Sequence, residues 1–241
     1  MHFIKKRFGI QHLVVFFEDT LFQNAVANTS YPLITALSYT RHNLPGVRVR
    51  EKDTALIDIS PSPEHILASM HRTTRNEILR SLAKNFSVEL RVGFHEDLYM
   101  LYASFERAQG RTPMKKDEFA QFRYVVVSLD NTPLSVVSLI EEKPLLRIRS
   151  IFSARMTTQD AEQKKNISNA SRRAIYEACV WGHENGFTSL DLASVNITDA
   201  NKAHLSKFKL SFGGTFRKEY THIFATPAIQ FVLKILSRVR S

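Results

Sequence analysis

The sequence predicts a mixed α/β fold of α+β type: a mixed, mostly antiparallel sheet flanked by helices. Three observations carry this. Residues 123–129, 134–140 and 145–152 are apolar, extended runs joined by Asp130-Asn131 and by residues 141–144, connections so short and turn-rich that the strands form an antiparallel meander. A helix over about 169–185, closed by Gly186, and a strand over 189–193 come next. The stretch DANKAHLSKFKLSFGGTFRKEYTHIF, residues 199–224, then reads as a capped helix, a hard turn at Gly213 and Gly214, and a strand rich in β-favouring residues.

Upstream, residues 1–50 carry a strand in HLVVFFEDT and an apolar segment, YPLITALSYTRHN, with no clean period. They read as an amino-terminal appendage of unclear structure, and residues 51–241 as the main domain, with the boundary in 45–53. Leu56 to Ile59 suggests a short strand. Ser62, Pro63 and Glu64 then start a long helix whose buried face is Ile66, Met70, Thr74, Ile78 and Leu82, with Arg75 on its flank. Val88, Leu90 and Val92 alternate with charged residues as in a strand with one buried face. A helix from Glu96 stops at Gly110; residues 111–116 are a basic loop and 117–122 a short helix. Residues 153–168 are polar without a hydrophobic period and read as a mobile loop. From Pro227 the tail has the spacing of a basic amphipathic helix.

The chain has 241 residues, 44% of them hydrophobic, enough for a substantial core. Its apolar runs fall short of the ~20 residues that a membrane-spanning helix needs, and one cysteine, Cys179, allows no intramolecular disulfide. These features lead us to expect a soluble, cytoplasmic protein. The net charge of +10 favours polyanionic partners: tRNA, a nucleotide-linked substrate, or the anionic inner surface of a membrane, contacted peripherally. The same charge also reads as a basic surface that serves solubility. Nine scattered histidines show no metal-ligand spacing, so no metal is expected.

FKLSFGG, residues 208–214, resembles the "FK.sFGG" signature of Fem-type aminoacyltransferases and their GNAT-fold relatives. MHRTTRNEILRSLAKNFSVELRVG, residues 70–93, is similar to the "hkktR.nIrkA.k.gv.v" segment of the same proteins and of related acetyltransferases of polysaccharide biosynthesis. The resemblance spans about residues 54–226 and implies a GNAT-like fold. It also implies transfer of an acyl or aminoacyl group, from acyl-CoA or aminoacyl-tRNA, to an amine of a sugar or cell-envelope precursor. Two strands following the meander would splay to open a groove with a positive rim beside Lys209.

In GNAT enzymes the donor pyrophosphate rests on backbone amides where strand meets helix, here residues 153–173. This chain departs from the glycine-rich pattern there: ARMTTQDAEQKKNISNASRR contains no glycine. Charge from Arg155, Lys164, Lys165, Arg172 and Arg173, with Asn169, is the candidate replacement, and it suits tRNA; a solvated basic face is the other reading. By analogy with the family, Arg75, Phe208 and Lys209 form a clamp beside Gly213 and Gly214. Asp191, inside an apolar strand, reads either as a base or as half of a structural pair. Asp191 and Lys209 are the candidate catalytic residues, while Cys179 falls within helix periodicity and reads as packed. The alternative reading is a non-catalytic basic module of this fold that binds RNA or an anionic membrane surface.

Overall fold

The computed structural model describes residues 1–7, 9–156, 158–196 and 198–231. In chain order its elements are β1 (His2–Arg7), β2 (Ile10–Phe16), α1 (Asp19–Ala27), β3 (Leu33–Ser38), β4 (Val47–Asp58), α2 (Pro63–Ser69), α3 (Arg72–Leu82) and β5 (Phe86–Val92). There follow α4 (Glu96–Ala108), α5 (Lys116–Phe119), β6 (Arg123–Leu129), β7 (Thr132–Glu142), β8 (Leu145–Ser153), a 3-10 turn (Ala154–Met156), α6 (Ala161–Glu184), β9 (Ser189–Val195), α7 (Ala200–Leu210) and β10 (Thr215–Ala225). The expected mixed α/β class is what forms, and its strand pairs are mostly antiparallel.

The chain divides into two compact units, Met1–Thr54 with Phe216–Ser241, and Ala55–Thr215. This differs from a division at residue 50, because the last strand joins the amino-terminal residues. In the first unit β1 pairs antiparallel with β2, β2 runs parallel to β3, and β3 pairs antiparallel with β10. Leu13, Val15 and Ile34 pack with Phe22, Ala25 and Val26 of α1. The tail is helical from Pro227 to Phe231, and the rest of the expected tail helix, Val232 to Arg240, lies outside the described residues.

In the second unit β5, β6, β7 and β8 form the antiparallel meander, and β9 adds parallel to β8. Helix α6 lies on β6 and β7. Its small residues Ala170, Ala174, Ala178 and Gly182 recur every four positions and so share one face, which lets the helix approach the strands closely. A Cβ on Gly182 would stand 2.7 Å from Ile59 Cδ1, so that position has no room for a side chain.

Two expectations change here. The long helix from Ser62 is broken into α2 and α3, because Met70 and His71 are extended and the His71 amide donates to the Ser211 carbonyl at 2.9 Å. Met70, Thr74 and Ile78 stay buried, but Leu82 is exposed. The expected loop over 153–168 is helical from Ala161, where Asp160 caps α6 by accepting from the amides of Glu162 (3.3 Å) and Gln163 (3.0 Å).

Candidate functional site

Strands β8 and β9 pair over three rungs only, from Leu145↔Ser189 to Arg147↔Asp191. Beyond that rung β8 continues to Ser153 and β9 to Val195 without pairing to each other, so the two strands splay. Side chains hold the wedge open. At its vertex Arg147 donates to Asp191, both nearly inaccessible at 6% and 0% side-chain exposure, and the other carboxylate oxygen accepts from the Ala193 amide at 2.7 Å. Ala193 has φ +61°, a left-handed conformation that costs a non-glycine residue about 1–2 kcal/mol and turns β9 away just past the last rung. The diverging strand then finds partners on α7: Lys209 Nζ donates to the Ser194 carbonyl at 2.9 Å, and Ser206 Oγ accepts from the Asn196 amide at 2.8 Å and donates to its carbonyl at 2.9 Å. Backbone groups of Ser194 and Asn196, past the last rung with β8, are thereby satisfied by α7.

A polar cleft of about 270 Å³ opens beside α6, lined by Glu77 and Arg80 of α3, Arg155, and Lys164, Lys165, Ser168 and Asn169 of α6. On a helix, positions 164, 165, 168, 169 and 172 fall on one face. Arg172, at the end of that row, is ion-paired with Glu77 at 2.9 Å, donates to Ser168 Oγ at 2.8 Å, and lies 5.1 Å over the Phe208 ring of α7. Burial draws its guanidinium below the ordinary arginine value, and Glu77 opposes that shift. Among the described residues, the one acid lining the cleft is thus already held by Arg172, and Arg80, Arg155, Lys164 and Lys165 give the opening a positive lining.

Of the residues singled out in the sequence, Arg155, Lys164, Lys165 and Asn169 meet in this cleft, and Arg172 and Phe208 adjoin it. Arg173 does not join them: one position further round the helix, it pairs with Glu177 at 2.5 Å. Arg75 donates to the Ala68 carbonyl at 3.0 Å. Asp191 is the structural partner of Arg147, and Lys209, 8% exposed, is bound to β9. Gly213 and Gly214 serve close packing. Gly213 has φ +82°, and a Cβ there would stand 2.9 Å from the Ser69 carbonyl oxygen; on Gly214 it would stand 3.2 Å from Ala55 Cβ. Phe212 is wholly buried and meets Phe208 edge-on at 5.3 Å, while Thr74 donates to Ser211 Oγ at 2.7 Å. FKLSFGG therefore joins α7 to α2, α3 and β9. Cys179 is buried in the core, where desolvation pushes its thiol well up and leaves it un-ionised.

Glu77 and Arg80 were not among the expected site residues. Their signal lies in spacing, since i and i+3 on α3 share a face; it emerges once the break at Met70–His71 fixes where α3 begins. Among the described residues no group of histidine, cysteine or acidic side chains is arranged to hold a metal, and no helix is long and apolar enough to cross a membrane.

A meander, a wedge between two parallel strands and a helix packed across the sheet make up a GNAT-like fold, and solved structures share it over nearly the whole chain. The structure of FemX superposes with a TM-score of 0.64 at 11% identity, covering 96% of this chain and 86% of that one. L-PGS from Bacillus licheniformis is similar with a TM-score of 0.57 at 14% identity, covering 98% and 84%. The C-terminal domain of a protein from Agrobacterium fabrum, designated a lysylphosphatidylglycerol synthetase, gives 0.55 at 13% identity over 97% and 83%. No protein-family profile matches the sequence, and no match is found among curated protein sequences.

Proposed function

We propose that this chain is an acyltransferase that takes its acyl group from aminoacyl-tRNA and delivers it to an amine of a sugar or cell-envelope precursor. The observation that carries the choice of donor is the cap of α6. In the GNAT arrangement the donor pyrophosphate needs the free amides at this helix start, and here the Asp160 carboxylate already accepts from two of them. A second anion at that point meets a fixed negative charge. The cations sit instead along α6, at positions 164 and 165, with Arg80 and Arg155 across the cleft. That spacing suits successive phosphates of a nucleic-acid backbone better than one pyrophosphate.

In the reaction the acceptor nitrogen attacks the aminoacyl ester carbonyl, an amide forms, the ester C–O bond breaks, and the ribose hydroxyl leaves with the proton released by the amine. We assign Asp191 and Lys209 to positioning: with Arg147 and the Ser194 carbonyl they hold β9 away from β8. The test offers the protein labelled aminoacyl-tRNA and labelled acyl-CoA separately, each with and without an amine acceptor. Saturable tRNA binding with transfer is expected, and no saturable acyl-CoA binding. Saturation by acyl-CoA alone overturns the donor; binding of tRNA without transfer to any amine leaves the non-catalytic basic module; binding of neither removes the enzyme.

A further inference from the structure

We infer that β5 is an association strand, pairing antiparallel with β5 of a second copy of this chain. β5 ends the strand order and, among the described residues, pairs only with β6, in an unbroken register from Phe86↔Leu129 to Val92↔Arg123. Edge strands are ordinarily protected by a bulge, a proline or an inward-pointing charge. Phe86–Val92 has no bulge and no proline, its charges Glu89 and Arg91 lie off the face that Val88, Leu90 and Val92 share, and Leu90 and Val92 are 45% and 60% exposed.

Two facts set which residues of β5 can exchange hydrogen bonds with a partner. The Val92 carbonyl meets the His95 ring at 3.1 Å and the Phe86 amide donates to the Lys84 carbonyl at 2.7 Å, so even-numbered residues direct their backbone groups away from β6. Of the registers this parity allows, the one that also matches charge is the antiparallel pair centred on Leu90. It sets Leu90 opposite the partner's Leu90 and Val88 opposite the partner's Val92 at the rungs that exchange hydrogen bonds, the Val92 carbonyl accepting on its second lone pair beside the His95 ring. Glu89 then faces the partner's Arg91 at the intervening rungs, where side chains stand closest. The two-fold axis makes this charge match twice. Within one chain Arg91 bridges Glu89 at 2.8 Å and Asp97 at 2.7 Å, so its guanidinium is already held beside Glu89.

The test is mass by sedimentation equilibrium at physiological salt over a concentration series. The wild-type chain is expected to show a monomer–dimer equilibrium. Glu89→Lys sets like charges opposite each other, as does Arg91→Glu, and each alone is expected to weaken the dimer about tenfold or more. An equimolar mixture of these two variants restores it as a heterodimer, because both cross-strand pairs become opposite in sign. Leu90→Pro removes an amide that only the dimer uses, so it is expected to abolish association while leaving the circular dichroism spectrum unchanged. A wild-type chain that stays monomeric throughout leaves this edge to some other occupant and overturns the inference. So do a dimer that survives Leu90→Pro in a folded chain and a mixture that fails to re-associate.

Discussion

The cation row on α6 makes a quantitative demand on salt dependence. Each phosphate contacted by a cation contributes about −0.9 to the slope of log K against log[salt] on a duplex. Lys164 and Lys165 both line the cleft at the solvent side of α6. Replacing both by glutamine should therefore flatten the slope for tRNA by about 1.8 units, so that between 50 and 200 mM salt the affinity ratio shrinks about twelvefold. Surface changes of this kind alter stability by only about 0.5 kcal/mol or less, which keeps folding from confounding the result. The assay is fluorescence anisotropy of labelled tRNA titrated with each protein at four salt concentrations, with Arg173→Gln as a control, since Arg173 is committed to Glu177 outside the cleft. Parallel slopes for the wild-type and the doubly substituted protein would refute the placement of the nucleic acid, and an equal flattening by Arg173→Gln would show that bulk charge, not the cleft, governs binding.

Three further outcomes follow from the packing. Gly213→Ala forces a Cβ to within 2.9 Å of the Ser69 carbonyl oxygen at φ +82° and should cost about 2–3 kcal/mol, read as a lowered thermal midpoint. Arg147→Met alone removes the cation paired with a fully buried carboxylate and should cost about 3–5 kcal/mol in urea unfolding, whereas Arg147→Met with Asp191→Leu should recover part of it, the Ala193 amide losing its acceptor; equal losses in both would show that the ion pair is not what the vertex depends on. His222 is wholly buried, its Nε2 accepts from the His42 amide at 3.0 Å, and burial lowers its ring below the ordinary value, with His42 adding to the shift and Asp19 opposing it. The unfolded chain therefore takes up a proton first as pH falls, so this contribution is complete above about pH 6.5 and is lost below it. A midpoint that falls from pH 7.5 to 5.5 in the wild-type protein but falls less in His222→Gln is the expected reading.

What was legible in the sequence was local. The meander could be read to within two residues at its ends because period and turn chemistry act over a few positions, as in Arg123–Leu129 and its Asp130-Asn131 turn. The wedge was expected only through family resemblance; its causes are non-local, with Arg147 and Asp191 44 positions apart and Ser211 holding His71 from 140 residues away. That second contact is also why a four-residue recurrence across Met70 concealed a break. The start of α6 was a different kind of miss, because its signal was present: Asp160 followed three residues later by Gln163 is a capping pattern. It was masked because the first turn and a half of the helix, from Ala161 to Asn166, buries no side chain and so shows no hydrophobic period. The consequence reaches beyond the fold. In a loop, Lys164 and Lys165 would be two mobile cations of no defined direction; on a capped helix they share a fixed face with Ser168, Asn169 and Arg172. The residue that caps the helix also fills the amides on which a pyrophosphate would rest. Under the proposed function one carboxylate, Asp160, would both order the cation row and close the alternative anion site, so the choice between a nucleic-acid donor and a coenzyme donor turns on the first turn of α6.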